Sequence, residues 1–340
     1  MKRMFKNDYS ELADERIIKA IEKYLNEQHT AYGLDEHSFN AKERINKIFG
    51  LKDADVHFLA GGTQSNMVTI SYFLKPYEGV IACDTGHINT HETGAVEATG
   101  HKILPCKNID GKIKAKDIEE IMQAHTNEHV VMPKMVYISN ATESGTIYTK
   151  QELEEIRKIC DKYSLYLFID GARLGAALTS DYCDYTPEFF GNIADIFYVG
   201  GTKNGLLIGE AIVIKNKELA KYFRYHIKNK GAMLAKGFLL GIEFEEAFKD
   251  GLYFELAKRS NETAKHIKEE LSKNNIEFAY DSPTNQQFIV LPNEKAEKVI
   301  EEFGCELWED RGSNKVIRIV TSFNTTKGDC DELIKFIINL

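Results

Sequence analysis

Short apolar runs and longer amphipathic stretches take turns along most of the chain. VHFLA at 56–60, GVIAC at 79–83, HKILP at 101–105, KMVYIS at 134–139, LYLFID at 165–170, DIFYV at 195–199 and EAIVI at 210–214 read as strands, being short, apolar and bounded by polar or small residues. Before and between them, the spacing of apolar positions predicts helices over 11–27, 38–49, 63–75, 91–99, 117–124 and 150–163. This alternation predicts an α/β fold with a mostly parallel sheet covered by helices. Beyond residue 215 the pattern changes: helical periodicity runs from about 217 to 273, and the strands QQFIVLP and KVIRIV then alternate with helices over 294–303 and 327–339. The expected organisation is a large domain over residues 1–240, including the N-terminal helical segment, and a smaller C-terminal α+β domain over 241–340. No internal repeat or low-complexity linker interrupts it.

A chain of 340 residues with a formal net charge of −9 and average apolar and charged fractions suits a globular enzyme. The acidic balance, without a long Lys/Arg run, argues against a nucleic-acid partner, because neutralising phosphates needs a basic face. No apolar stretch approaches the roughly 18 residues of a membrane span, and MKRMFKNDYSELADER lacks the apolar segment of a signal peptide. The expected location is cytoplasmic, with no membrane partner. Six cysteines, widely spread, form neither a disulfide framework nor a metal-ligand spacing and read as reduced core thiols. His125 and His129 could share a helix face, yet HTNEH lacks the order of the zinc-protease motif, so no metal site is expected.

The chemistry is carried by two charges at strand ends. Asp170 closes LYLFID before GARLGAA, and Lys203 follows DIFYVGGT before NG. Strand ends often carry charges that simply face solvent, but ligands in open α/β sheets gather at the carboxyl ends of strands, where two such residues converge on one crevice. A lysine near a core loses hydration or its charge unless it is joined to an aldehyde. Pyridoxal 5'-phosphate is the aldehyde that fits. Its ring nitrogen draws off electrons when protonated, and the Asp170 carboxylate can keep that proton in place.

Two further segments fall on the same edge. AGGTQSN at 60–66 follows VHFLA and opens a helix, so the N–H groups of Gly62, Thr63 and Gln64 are expected to point at whatever lies above the helix start, a place suited to a phosphate. The motif is neither the Walker pattern nor GxGxxG. His87 in DTGHINTHETGA follows GVIAC and could lay a flat imidazole on the pyridine ring, with His91 and Glu92 on the following turn.

AGGTQSN, DTGHINTHETGA, LFIDGARLGAA and DIFYVGGTKNG, in this order and spacing, resemble the low-specificity L-threonine aldolase branch of the beta-eliminating lyase family, with YGLDEHS at 32–38 and KVIRIVTSFNTT at 315–326 similar to its early and late segments. These are fold type I pyridoxal phosphate enzymes, so the resemblance implies that fold for the large domain. It also implies cleavage of L-threonine, L-allo-threonine or a related β-hydroxy amino acid to glycine and an aldehyde. Lys203 would bind the cofactor covalently, Asp170 would contact the ring nitrogen and His87 would stack. Gly62 and Thr63 would hold the phosphate, with Thr202 as a further donor. Arg173 would sit near the ring hydroxyl and the substrate carboxylate, which Asn7 and Arg318 would also bind. A homodimer or homotetramer with shared active sites is implied, Tyr32 and a lysine within 228–236 acting across an interface. The chain departs from the family in two places. Thr142 stands in ISNATESG where a histidine close to the substrate hydroxyl is usual, leaving Thr142 to position a water or the hydroxyl, with Glu143 as a substitute. GAMLAKG replaces a stretch that usually contains Arg and Gln. β-Elimination from another amino acid would share the same cofactor chemistry, and a protein holding the cofactor without chemistry is the non-enzymatic alternative.

Overall fold

The computed structural model describes residues 3–52 and 54–340. Its larger sheet has seven strands: β1 (Asp55–Leu59), β2 (Glu78–Cys83), β3 (Ile103–Cys106), β4 (Met132–Ser139), β5 (Tyr166–Asp170), β6 (Ile196–Gly200) and β7 (Glu210–Ile214). They lie in the order β1-β7-β6-β5-β4-β2-β3. Strands β2 to β6 pair in parallel, and β7 runs against both β6 and β1. β2, β6 and β7 are buried along their whole length, which explains the continuous runs GVIAC, IFYVG and AIVI within them.

Helices cover both faces. On one side are α1 (Glu15–Lys23), α2 (Glu36–Ile48), and later α5 (Ala115–Ala124), α6 (Lys150–Tyr163), α8 (Pro187–Ile193), α10 (Phe238–Ala247) and the first turns of α11 (Leu252–Lys273). On the other are α3 (Gly62–Phe73), the single turn α4 (His87–Thr90) and α9 (Phe223–Asn229). Alternate residues of β4 feed the two cores: Val136 and Ile138 enter the first, Met135 and Tyr137 the second. The short α7 (Leu174–Leu178) follows β5.

A second, antiparallel sheet in the order β10-β11-β9-β8 is built from β8 (Glu277–Phe278), β9 (Gln286–Pro292), β10 (Glu306–Asp310) and β11 (Asn314–Val320). The C-terminal half of α11, with α12 (Asn293–Phe303) and α13 (Lys327–Ile338), supplies its core. Phe5 is fully buried in that core, with its N–H on the Phe303 carbonyl (2.8 Å) and its own carbonyl accepting from Val320 (2.9 Å). The N-terminal arm thus starts in the small core and then enters the crevice at the carboxyl edge of the large sheet.

Three expected helices differ from the sequence reading. The helix expected over 91–99 is absent as such: α4 ends at Thr90, and a 3-10 turn at Glu97–Thr99 follows Thr93 and Gly94, whose φ of 51° and 73° no right-handed helix contains. The periodicity over 217–273 is broken into α9, α10 and α11 by Gly231, Asp250 and Gly251, all at positive φ. The first helix is shortened to α1 because the Asp14 side chain accepts from the Arg16 N–H and starts it there. All six cysteines are free, and all but Cys183 are buried. Among the described residues no helix is long and apolar enough to cross a membrane.

Candidate active site

β5 and β6 are forced together at their carboxyl ends, and the glycines there make it possible. A Cβ on Gly171 would lie 1.9 Å from the Tyr198 carbonyl oxygen, and one on Gly200 would lie 2.2 Å from that of Ala172. With neither present, the Gly200 N–H reaches the Gly171 carbonyl at 2.9 Å. This crossing brings Asp170, the last residue of β5, and Lys203, in the 3-10 turn Thr202–Asn204, to the walls of one cleft of about 360 Å³.

Asp170 is held in a nest of donors. Its Oδ1 accepts from the Ala172 N–H (2.9 Å), and its Oδ2 from the Tyr137 hydroxyl (2.5 Å) and the Asn66 amide (3.3 Å). Burial, with the Asp170 charge adding to it, pushes the phenol of Tyr137 well above its ordinary value, so it stays a donor. The same Asn66 amide donates to Glu92 (2.7 Å), and Glu92 in turn receives His87 Nδ1 (2.8 Å). One hydrogen-bonded chain therefore fixes both Asp170 and the plane of the half-buried His87 imidazole.

Lys203 sits among charges of both signs. Burial and then the Arg173 guanidinium hold its ammonium below the ordinary lysine value, against the carboxylates of Asp8, Asp170 and Glu210. Glu210, which opens β7, is 4% exposed and accepts the Gly201 N–H at 3.0 Å; burial pushes its carboxyl up to about 8 despite the nearby lysine. Arg173 is engaged from the opposite side by Asp8, whose carboxylate takes its Nε (2.7 Å) and Nη2 (3.0 Å) in a forked pair. Burial alone would raise the Asp8 carboxyl, but Arg173 first, and then Lys203 and Asn285, bring it below the usual carboxylate range.

The remaining expected residues divide by location. Gly62, Thr63, His87, Thr142, Asp170, Arg173, Thr202 and Lys203 all line the cleft. α3 starts at Gly62 with Gly61 as its cap, and no side chain blocks its first-turn amides. Gln64 folds back so that its Oε1 accepts the Ala60 N–H (3.2 Å). The Thr202 hydroxyl oxygen accepts the Gly209 N–H (2.9 Å). Asn7 does not face the cleft: its Oδ1 accepts from the Tyr9 N–H and the Ser10 hydroxyl in a local turn that aims Asp8 and Tyr9 inward instead. Arg318 lies at the margin, with Nη1 on Gln286 (3.2 Å), an ion pair to Glu306 and its guanidinium over Trp308 at 5.2 Å.

The carboxyl edge of the sheet thus holds the candidate site, and similarity to known proteins shows the family of the chain. The family model for beta-eliminating lyases matches residues 15–294. The chain belongs to the beta-eliminating lyase family. It is 29% identical over 317 residues to the low specificity L-threonine aldolase of Pseudomonas sp. (strain NCIMB 10558), covering 92% of this chain and 91% of that protein. It is 31% identical over 241 residues to the enzyme of the same name from Pseudomonas aeruginosa, covering 70% and 69%. A threonine aldolase structure from Leishmania major superposes with a TM-score of 0.97 at 42% identity over 99% of each chain. Cystalysin of Treponema denticola, whose structure contains a pyridoxal 5'-phosphate cofactor, shares the fold at a TM-score of 0.75 and 18% identity, over 99% of this chain and 90% of that one.

For a beta-eliminating lyase family member, the sequence left several residues that line or support the cleft unnoticed. Tyr137 and Tyr198 were legible as polar tips within apolar runs, and Glu210 gave the same signal as Asp170, a charge beside a buried strand and a glycine. Asp8, Tyr9 and Asn66 gave none, since they lie in a polar arm and in mid-helix. Tyr32 is in a different depression, with Lys228 Nζ 4.8 Å from its ring and Arg224 on its carbonyl (3.1 Å).

Proposed function

We propose that the chain is a pyridoxal phosphate-dependent lyase that cleaves L-threonine, L-allo-threonine or a related β-hydroxy amino acid to glycine and an aldehyde. The observation that carries this reading is the convergence of Lys203, Asp170, His87 and the amino end of α3 on one cleft. The donor set fits the cofactor: an amine whose ammonium is held below the ordinary lysine value, a buried carboxylate for a ring nitrogen, an imidazole fixed in plane, and free helix amides beside small residues for a phosphate. When bound, pyridoxal phosphate supplies an aldehyde carbon for amines and a protonated ring that takes up an electron pair from the substrate's α-carbon.

The chain's own residues do the rest. The downward pull on the Lys203 ammonium makes its amine easier to deprotonate for anchoring a cofactor, and its protonated form would return a proton at the α-carbon. Asp8 occupies Nε and Nη2 of Arg173, leaving Nη1 to face a substrate carboxylate. Holding that carboxylate at one end would fix which bond to the α-carbon is presented for cleavage. Gly62 and Thr63 would hold the phosphate through first-turn amides.

In the same reading the enzyme is cytoplasmic and works as a homodimer or homotetramer. Tyr32 and a lysine within 228–236 complete a neighbour's site, which is supported by the place of Tyr32 in a depression separate from the cleft and by its 42% exposure. α10 and the first turns of α11 belong with the cofactor-binding part, so the division falls within α11 and not near residue 240, and the smaller part beyond it carries Arg318. The test is a product assay. Purified holoenzyme given L-threonine or L-allo-threonine is expected to release acetaldehyde; pyruvate from S-substituted cysteine without acetaldehyde from either β-hydroxy acid would overturn the aldolase reading in favour of β-elimination.

A further inference from the structure

Cleaving the bond between the α and β carbons of a β-hydroxy amino acid needs a base for the hydroxyl proton. Thr142, which stands where a histidine is usual and was expected to position a water or the hydroxyl, is fully occupied. The Thr146 hydroxyl donates to the Asp110 carbonyl (2.7 Å), so the Thr142 hydroxyl donates to Thr146 Oγ1 (2.7 Å) while accepting the Thr146 N–H (3.2 Å). Glu143 has an anchoring task, since its Oε1 accepts both the His87 N–H (2.9 Å) and the Ser139 hydroxyl (2.7 Å), and burial raises its carboxyl. His87 has Nδ1 committed to Glu92.

His91 is differently placed. It lines the same cleft and is solvent-accessible. Its ring stands nearly parallel to that of His87 (centroids 5.5 Å apart, planes 17° apart) and to Trp308 on the other side (6.4 Å, 13°). Trp308 is itself fixed by Arg318 and by the edge of Phe288 (5.0 Å). With its proton on the Gly86 or Thr85 carbonyl (3.1 and 3.3 Å), the Thr90 hydroxyl accepts that of His91 Nδ1 at 2.6 Å. That assignment leaves Nε2 as the unprotonated nitrogen, and among the described residues it makes no hydrogen bond.

We infer that His91 Nε2 is the general base for the substrate's β-hydroxyl, an inference that rests on the retro-aldol reading above. The proton passes from the hydroxyl to Nε2, and the O–H pair becomes the second carbonyl bond of the departing aldehyde. The pair of the α–β bond stays on the α-carbon, which takes a proton from the Lys203 ammonium after that amine has gained one from water. His91 returns its proton to water through its exposed side. Its neutral form is favoured by burial, by His87 on its own turn, by Arg318 on β11 and by Lys203, while Glu306 on β10 opposes them and is itself paired with Arg318.

The test compares His91→Gln with the parent holoenzyme. Threonine cleavage is expected to fall by about 100-fold or more in kcat, the scale of a lost general base. The visible band, its shift on glycine binding and the exchange of the glycine α-proton in D2O are expected to stay within about twofold, since glycine has no hydroxyl. The parent is expected to lose kcat/KM on the acid side with a pKa below about 6.5, the ordinary histidine value, and the variant to lack that limb. Cleavage by the variant within threefold of the parent, a parallel fall in glycine exchange, or a parent profile flat on the acid side would each overturn the role of His91. A parent that binds glycine yet releases aldehyde from no β-hydroxy amino acid would overturn the retro-aldol reading and this inference with it.

Discussion

Lys203, Glu210, Asp8 and Arg173 place two cations and two carboxyl groups in one small volume, and burial decides much of the balance. Two carboxyls in this region, Glu210 and Glu243, are pushed up to about 8 and about 7. Glu243 is fully buried on α10 and accepts the N–H groups of Leu207 (2.7 Å) and Ile208 (3.3 Å), which tie down the loop between Lys203 and Glu210. A carboxyl whose folded value lies above its unfolded value of 4.5 keeps its proton in the folded chain after the unfolded chain has lost it. Its stabilising contribution is therefore complete below pH 4.5 and is lost as pH rises through about 7. Urea unfolding of the cofactor-free chain is expected to show stability falling across that window, and Glu243→Gln is expected to flatten the fall by on the order of 1–3 kcal/mol. An unchanged slope in the variant would contradict the assignment. These couplings were not legible in the sequence, because Asp8 and Arg173 are joined only once the N-terminal arm has folded back across the molecule.

Elements were legible where their ends carry local signals. α6 was predicted at its observed bounds because Thr149 and Glu152 form a reciprocal cap at its start and Ser164 turns left-handed at its end. EAIVI was read in full for its continuous apolar character, but its antiparallel direction depends on the short return from β6 through Lys203 and was not visible in any local pattern. The helices expected over 91–99 and 217–273 failed where single residues take positive φ, a choice made by tertiary packing. The closure of β5 on β6 is the element-scale feature on which the site depends. Gly171→Ala puts a methyl group into the Tyr198 carbonyl, with 1.9 Å of room. The variant is expected to lose stability by about 3 kcal/mol or more and to bind pyridoxal phosphate at least tenfold more weakly, by thermal unfolding and absorption titration. Parent-like values for both would show that the crossing tolerates a side chain.

On the scale of the whole molecule, the strand order gathers the exits of β1, β2, β4, β5 and β6 and the entry of β7 along one edge, and the small sheet brings Arg318 and Trp308 to its rim. The alternation of elements made that edge predictable, and with it Asp170, Lys203, His87 and the start of α3. The N-terminal arm and the Trp308 wall were not predictable, since both reach the cleft from parts of the chain with no sequence periodicity in common with it. The central claim is that Lys203 is the residue to which the cofactor is joined. Borohydride reduction of the holoenzyme followed by peptide mass mapping tests it most directly. The account predicts a reduced pyridoxyl phosphate adduct on the peptide bearing Lys203 and on no other, whereas an adduct on a different lysine, or none, would contradict it.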